Sequence, residues 1–182
     1  MDVEHWIVTG WRGSGKTTLC REIIQYAQTT GWDVAGILSP AIFEAGIKTS
    51  ITAIDLRTGE ERPLAHVRLQ DETDLVFGNW FFNRQTLEWG NRVLRSIQSC
   101  DLLVVDELGP LEFNLSQGFV DALNILQSSA YLLAMVVIRP ELLERASAMI
   151  QPTHTIELSE STSIPSILQQ VTPRLDRIQR GS

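Results

Sequence analysis

The stretch GWRGSGKTT, residues 10–18, sets Gly10, Gly15, Lys16 and Thr17 at the spacing G-x-x-x-x-G-K-[ST]. Residues of these types at this spacing can hold a polyphosphate. The glycines admit backbone conformations that a Cβ would obstruct, so successive N–H groups from Gly10 through Trp11, Arg12, Gly13, Ser14 and Gly15 to Thr18 can converge on phosphate oxygens. Lys16 adds a mobile positive charge between the β- and γ-phosphates, and the Thr17 hydroxyl is a hard donor suited to Mg²⁺. A glycine turn between a strand and a helix would need neither Lys16 nor Thr17. Arg12 has two readings, a reach to the γ-phosphate or a solvated side chain, and Trp11 is equally open.

Such a loop calls for a carboxylate at the tip of a buried strand, to hold the metal's water shell. LLVVDE, residues 102–107, supplies Asp106 in that place, so Thr17 and Asp106 are the candidate Mg²⁺ ligands. Glu107 follows directly and could orient or deprotonate a water in line with the γ-phosphate. Its bland alternative is a carboxylate at a helix N-terminus or on the surface. DELG also satisfies a D-x-x-G pattern, but no N-K-x-D stretch occurs in the chain, which disfavours a guanine-specific switch.

The elements needed to position these residues are legible. HWIVTG reads as a strand running into the loop. From Thr17 to Thr30 the apolar Leu19, Ile23, Ile24 and Ala27 share one helical face before Gly31 stops it. DVAGILS and TSITAIDL read as strands, the second followed by a hairpin turn at Thr58-Gly59. A helix is expected over Asn83–Ser99 with Leu87, Leu94 and Ile97 inward, leading into the continuous apolar run of a doubly covered strand at DLLVVDE. Ser116 is placed as the cap of a helix burying Phe119, Val120, Leu123 and Leu126. LLAMVVI is another buried strand, Pro140 suits the first turn of the next helix, and HTIEL reads as a last strand. A helix is expected over Ser163–Gln179, broken or kinked at Pro173. The alternation makes an α/β fold: one domain over residues 1–179 with a largely parallel central sheet flanked by helices, a hairpin-containing insertion, and a tail at 180–182.

Composition narrows the function classes. A formal net charge of -7 argues against bulk-charge affinity for nucleic acid or anionic membrane, so a phosphate ligand must be attracted locally. The longest apolar run, YLLAMVVI, falls far short of the roughly eighteen residues of a membrane span, and the opening MDVEHW lacks the pattern of a secretory signal. The expectation is a soluble, cytoplasmic protein with no membrane or nucleic-acid partner. Cys20 and Cys100 form no C-x-x-C pair and read as reduced structural thiols, and His5, His66 and His154 stand singly.

Taken together, GWRGSGKTT and DELGPLEF resemble the THEP-type nucleoside-triphosphatases, whose second motif reads D-E-[IL]-G-x-[ML]-E-[LF]. Asp106, Glu107, Leu108, Gly109, Leu111, Glu112 and Phe113 match in register, Phe119 stands where that family has an aromatic, and GILSP and FGNW extend the similarity. The resemblance implies a P-loop NTPase fold and Mg²⁺-dependent hydrolysis of nucleoside 5'-triphosphates, ATP, GTP and others, to diphosphate and phosphate with loose base preference. Two departures stand out: AIF where the family has a glutamate-valine-arginine stretch, and SESTSIP where it has an asparagine-arginine pair. An arginine that could stabilise transferring charge is missing from its usual place. Arg139, directly after the MVVI strand, is the substitute candidate and otherwise a solvated residue. Trp80, Phe81 and Phe82 could stack a base, or serve the core or a partner.

Two other functions stay open. A P-loop kinase of a small acceptor would use the segment from Ser39 to Phe82, with Arg57, Arg62, Arg68 and Arg84, as a lid or acceptor site. A slow-turnover binding module would have a partner supply the missing arginine in trans.

Overall fold

The computed structural model describes residues 3–72, 74–128 and 130–181, the side chains of 179–181 excepted. The chain runs β1 (Glu4–Gly10), α1 (Lys16–Thr29), β2 (Val34–Leu38), β3 (Ala41–Glu44), β4 (Ile47–Asp55), β5 (Glu61–Val67), β6 (Val76–Phe77), β7 (Trp80–Phe82) and α2 (Arg84–Ser96). It continues through β8 (Leu102–Leu108), α3 (Pro110–Leu115), α4 (Val120–Ile125), β9 (Leu133–Ile138), a 3-10 turn (Pro140–Leu142), α5 (Leu143–Ile150), β10 (His154–Leu158) and α6 (Ile164–Gly181).

All strands join one sheet in the order β10-β1-β9-β8-β2-β4-β5-β7-β6, with β3 paired to β4. From β10 to β2 every pairing is parallel. The insertion then extends the sheet through antiparallel pairings, starting with β2 to β4. This arrangement follows from the residues. β8 and β9 are rich in Leu and Val without alternation, and Leu102 to Val105 and Leu133 to Ile138 are buried, as strands covered on both faces must be. The insertion's β4 is half-buried along most of its length, in keeping with antiparallel strands that keep one face wet.

One face of the sheet packs α1 and α6. Leu19, Cys20, Ile23, Ile24 and Ala27 of α1 meet Val171 and Leu175 of α6 over Trp6, Val8 and Val137. The other face is covered by α2, α4 and α5 through Leu87, Leu94, Ala122 and Ala146. Each large apolar side chain so buried contributes about 1.5–3 kcal/mol.

Several expectations need correction. Ser116 is not the N-terminal cap of a helix; it ends the short helix α3 with a left-handed φ of 51°, and the next helix starts after Phe119. The cause lies in Gly109-Pro110, which starts a helix early, and in Glu112, whose carboxylate accepts N–H groups from Gly109 and from Phe119 at 2.8 Å each and so fixes both ends of the segment. Phe119 and Leu126 are buried as expected, whereas Val120 and Leu123 are only partly so. The helix expected to Ser99 ends at Ser96, with Ile97 buried just beyond it. Pro173 lies inside α6 without ending it, and the helix continues through Gly181 into the residues read as a tail; Ser182 lies outside the described residues, as do Met1 and Asp2 of the expected domain.

Candidate nucleotide site

The C-terminal ends of β1, β9, β8 and β2 converge at one edge of the parallel sheet, the usual location of ligands in open α/β sheets. Gly10 ends β1 with its Cα packed against the Leu158 carbonyl, so that any Cβ there would collide with backbone. Gly15 is the N-cap of α1 in a left-handed conformation, φ 91°, which a larger side chain would resist. No side chain caps α1, so its first N–H groups stay available to an anion at the positive end of the helix dipole. Lys16 folds back over the loop, its Nζ donating to the Gly10 carbonyl at 2.7 Å and the Trp11 carbonyl at 3.0 Å. Trp11, Arg12 and Thr18 are exposed, Gly13 is on the outer rim of the loop, and Ser14 is buried with an Oγ that has no partner.

Asp106 is buried at the tip of β8. It accepts the Ser39 N–H at 3.2 Å from the end of β2, and the Thr17 side chain hydrogen-bonds to it. Burial pushes its carboxyl up to about 7, the neighbouring Glu107 charge adds to the rise, and the hydrogen bonds and Lys16 oppose it. A buried acid held near neutrality by lack of solvent is ready for a cation. The Thr17 hydroxyl and the Asp106 carboxylate supply hard oxygen donors at one place. Among the described residues no cluster of three or more His, Cys, Asp or Glu side chains could hold a metal. A hydroxyl beside a carboxylate fits Mg²⁺, which takes few protein ligands and completes its shell with water and phosphate.

Glu107 and Arg139 are brought together. Arg139 leaves the end of β9, the strand lying between β1 and β8, and its Nε donates to Glu107 Oε1 at 2.6 Å. Both groups are partly exposed, so the pair remains accessible to solvent and ligand. Glu107, Arg139 and Ser39 also line an apolar cleft with Ile51, Leu64, Phe77, Phe82 and Leu87.

The insertion's arginines are occupied elsewhere. Arg57 pairs with Asp33, Arg62 with Glu60, and Arg84 with Asp74, while Arg68 donates to the Glu72 carbonyl. The residue that sequence reasoning missed is Lys48 on β4. Burial pulls its ammonium below its ordinary pKa, and the charges acting on it are those of Glu107, Arg12, Arg139 and Asp106. No motif flagged it, and neither periodicity nor spacing marks a lysine near the start of β4, IKTSITAID. Trp80 lies under Lys48 Nζ, 5.0 Å from the ring centroid, and Phe81 stacks on His66 on the opposite face of the strand.

The NTPase family profile matches residues 5–163, from β1 to the start of α6. The chain belongs to this family. Nucleoside-triphosphatase THEP1 of Methanosarcina acetivorans is 33% identical over 132 residues, covering 71% of this chain and 73% of that protein. Its counterpart in Thermococcus kodakarensis is 36% identical over 135 residues, with 71% and 73% covered. The crystal structure of THEP1 from the hyperthermophile Aquifex aeolicus superposes with a TM-score of 0.71 at 19% identity, covering 94% of this chain and 99% of that one, a likeness of fold.

Proposed function

We propose that this member of the NTPase family hydrolyses nucleoside 5'-triphosphates, ATP and GTP among them, to diphosphate and phosphate in a Mg²⁺-dependent reaction. The names of its relatives support the reaction class. The observation that carries the reading is the convergence of the Lys16 loop, the Asp106–Thr17 donor pair and the Glu107–Arg139 pair at one sheet edge.

In this reading the loop amides from Gly10 to Thr18 and the Lys16 ammonium bind the β- and γ-phosphates, Lys16 leaving its loop carbonyls to do so. Thr17 and Asp106 hold Mg²⁺, which supplies neutralisation of the phosphate charge when bound. Glu107 orients the attacking water and takes its proton. Arg139 fixes the Glu107 carboxylate and would share its guanidinium with the transferring phosphoryl oxygens. Trp11, Arg12, Gly13 and Ser14 complete the phosphate cradle, and Trp80 with its neighbours leaves base choice loose. The test is phosphate release from ATP, GTP, CTP and UTP at matched concentrations with and without Mg²⁺. Release from several of them only with the metal is expected; none from any would overturn the reading.

A second reading is favoured by the apolar cleft beside Glu107: transfer of the γ-phosphoryl group to a hydroxyl on an apolar small molecule seated there. It predicts negligible phosphate release until such an acceptor is added, so the same measurement separates the two.

A further inference from the structure

Glu112 is a buried carboxylate, 6% exposed, that the proposed reaction leaves without a role. It is the third residue of α3, and its Oε2 reaches back to accept the Gly109 N–H at 2.8 Å, as a helix-capping glutamate does. Its Oε1 does what a cap does not require: it accepts the Phe119 N–H, also at 2.8 Å, across the turn that follows α3. That turn is shaped around it. Gly118 has a left-handed φ of 73°, and a Cβ there would collide with Glu112 Oε1. Asn91 of α2 holds the turn from behind, its Nδ2 donating to the Gly118 carbonyl at 2.8 Å and its Oδ1 accepting the Asp121 N–H at 2.9 Å. Taking a carboxylate out of water is costly, and an exposed one would cap so short a helix as well. The Gly109 end is where the burial has its use. The register of β8 with β2 stops at Val105, and with β9 it passes from Val105 opposite Val136 to Leu108 opposite Ile138, so that β8 carries one extra residue. Asp106 and Glu107 therefore sit in a bulge, a device that re-aims side chains beside active sites. Asp106 has its own anchors in Ser39 and Thr17. Glu107 is held at its tip by Arg139, and along the chain by Leu108 opposite Ile138 and by Gly109 on Glu112. Glu107, Gly109, Glu112 and Arg139 line the same cleft.

We propose that Glu112 is a positioning residue for the hydrolysis: by tying the Gly109 N–H to a turn fixed on α2, it holds the bulged end of β8 so that the Glu107 carboxylate stays aimed at the attacking water. This rests on the nucleotide reading above. Glu112 touches neither nucleotide nor water in this role and exchanges no proton. Its effect is geometric. A general base must lie within about 3 Å of the group it deprotonates, and a misplacement of about 1 Å caused far from the chemistry can cost about a hundredfold in rate. Both carboxylate oxygens act as acceptors, so an amide cannot replace it: Gln would turn its own N–H₂ towards one of the two backbone N–H groups.

The experiment measures phosphate release from ATP with Mg²⁺, ADP binding with Mg²⁺ and melting temperature. It compares wild type, Glu112→Gln, Gly118→Ala, Glu107→Gln, the double variant Glu107→Gln/Glu112→Gln, and Lys16→Ala. Glu112→Gln should lower kcat at least about tenfold while KM and ADP affinity change by less than about twofold. Gly118→Ala, which crowds Oε1 and leaves Glu112 in place, should lower kcat in the same selective way, and it decides the matter if Glu112→Gln does not fold. In the Glu107→Gln background no base is left to aim, so adding Glu112→Gln should slow single turnovers by less than about twofold. A kcat near wild type in folded Glu112→Gln or Gly118→Ala, weakening of ADP binding in step with kcat, or the same fold loss in the Glu107→Gln background as in wild type would each overturn the assignment. Lys16→Ala turning over like wild type would remove the nucleotide reading and this assignment with it, and a wild-type rate in Glu107→Gln would remove the base that Glu112 positions. If those two variants fail as expected and only the Glu112 and Gly118 variants behave normally, the site stands and this assignment alone falls.

Discussion

Glu107 sits 2.6 Å from the Arg139 guanidinium, so the two residues are coupled and their substitutions should fail differently. Glu107→Gln keeps the shape and a hydrogen-bonding oxygen but cannot accept the water proton. It should bind ATP with Mg²⁺ as wild type does while hydrolysing it at least about tenfold more slowly, as binding titration and single-turnover kinetics would record; an unchanged rate would remove Glu107 as base. Arg139→Ala should reduce kcat more than it raises KM, because the guanidinium is asked to act on charge that develops in transit. A rise in KM alone would reassign Arg139 to ground-state binding. The Lys16 loop and the acids were legible because their chemistry demands fixed spacing. Lys48 was not, since neither periodicity nor motif marks a lysine on an inserted strand.

At the scale of elements, the long segments declared themselves. β1, α1, β8 and β9 combine apolar periodicity or continuity with clear stops, so their existence and order followed from local patterning alone. The short segments did not. β3, β6 and β7 span four, two and three residues, too few for an apolar period to show, and they form by pairing with β4, with each other and with β5. The α3 region was misjudged because Ser116 has the chemistry of an N-cap, while the buried Glu112 carboxylate decides where the turns fall. Asn83 is a cap of the expected kind: its side chain accepts the Thr86 N–H at 3.0 Å at the start of α2, and its own N–H binds the Leu64 carbonyl. Asn83→Ala should cost about 1 kcal/mol in urea unfolding, as lost N-caps do. No change in midpoint would mean that α2 is held by packing alone.

For the molecule as a whole, a net charge of -7 requires that any attraction for a polyanion be local, and Arg12, Lys16 and Arg139 lie just past the ends of the neighbouring parallel strands β1 and β9. Buried acid beside that edge also shapes stability. Burial pushes Glu112 up from its ordinary value near 4.5 to about 7, against the pull of the Gly109 and Phe119 N–H groups. An acid with a higher pKa folded than unfolded loses its proton first in the unfolded chain. Its contribution is therefore fully present below about pH 4.5 and is lost as pH rises to about 7, a change on the order of 3 kcal/mol. Glu112→Gln cannot titrate. The stability of wild type relative to this variant should decline across that window in metal-free urea unfolding and stay level above it; a constant difference would show that Glu112 is ionised throughout.

The claim on which the rest depends is that the amides of residues 10–18 and the Lys16 ammonium grip a triphosphate. Phosphate release from ATP with Mg²⁺ by wild type and by Lys16→Ala, folded to the same melting temperature, tests it most directly. The account predicts turnover by wild type and at least about a hundredfold less by the variant. Hydrolysis by Lys16→Ala at a rate near wild type would contradict it.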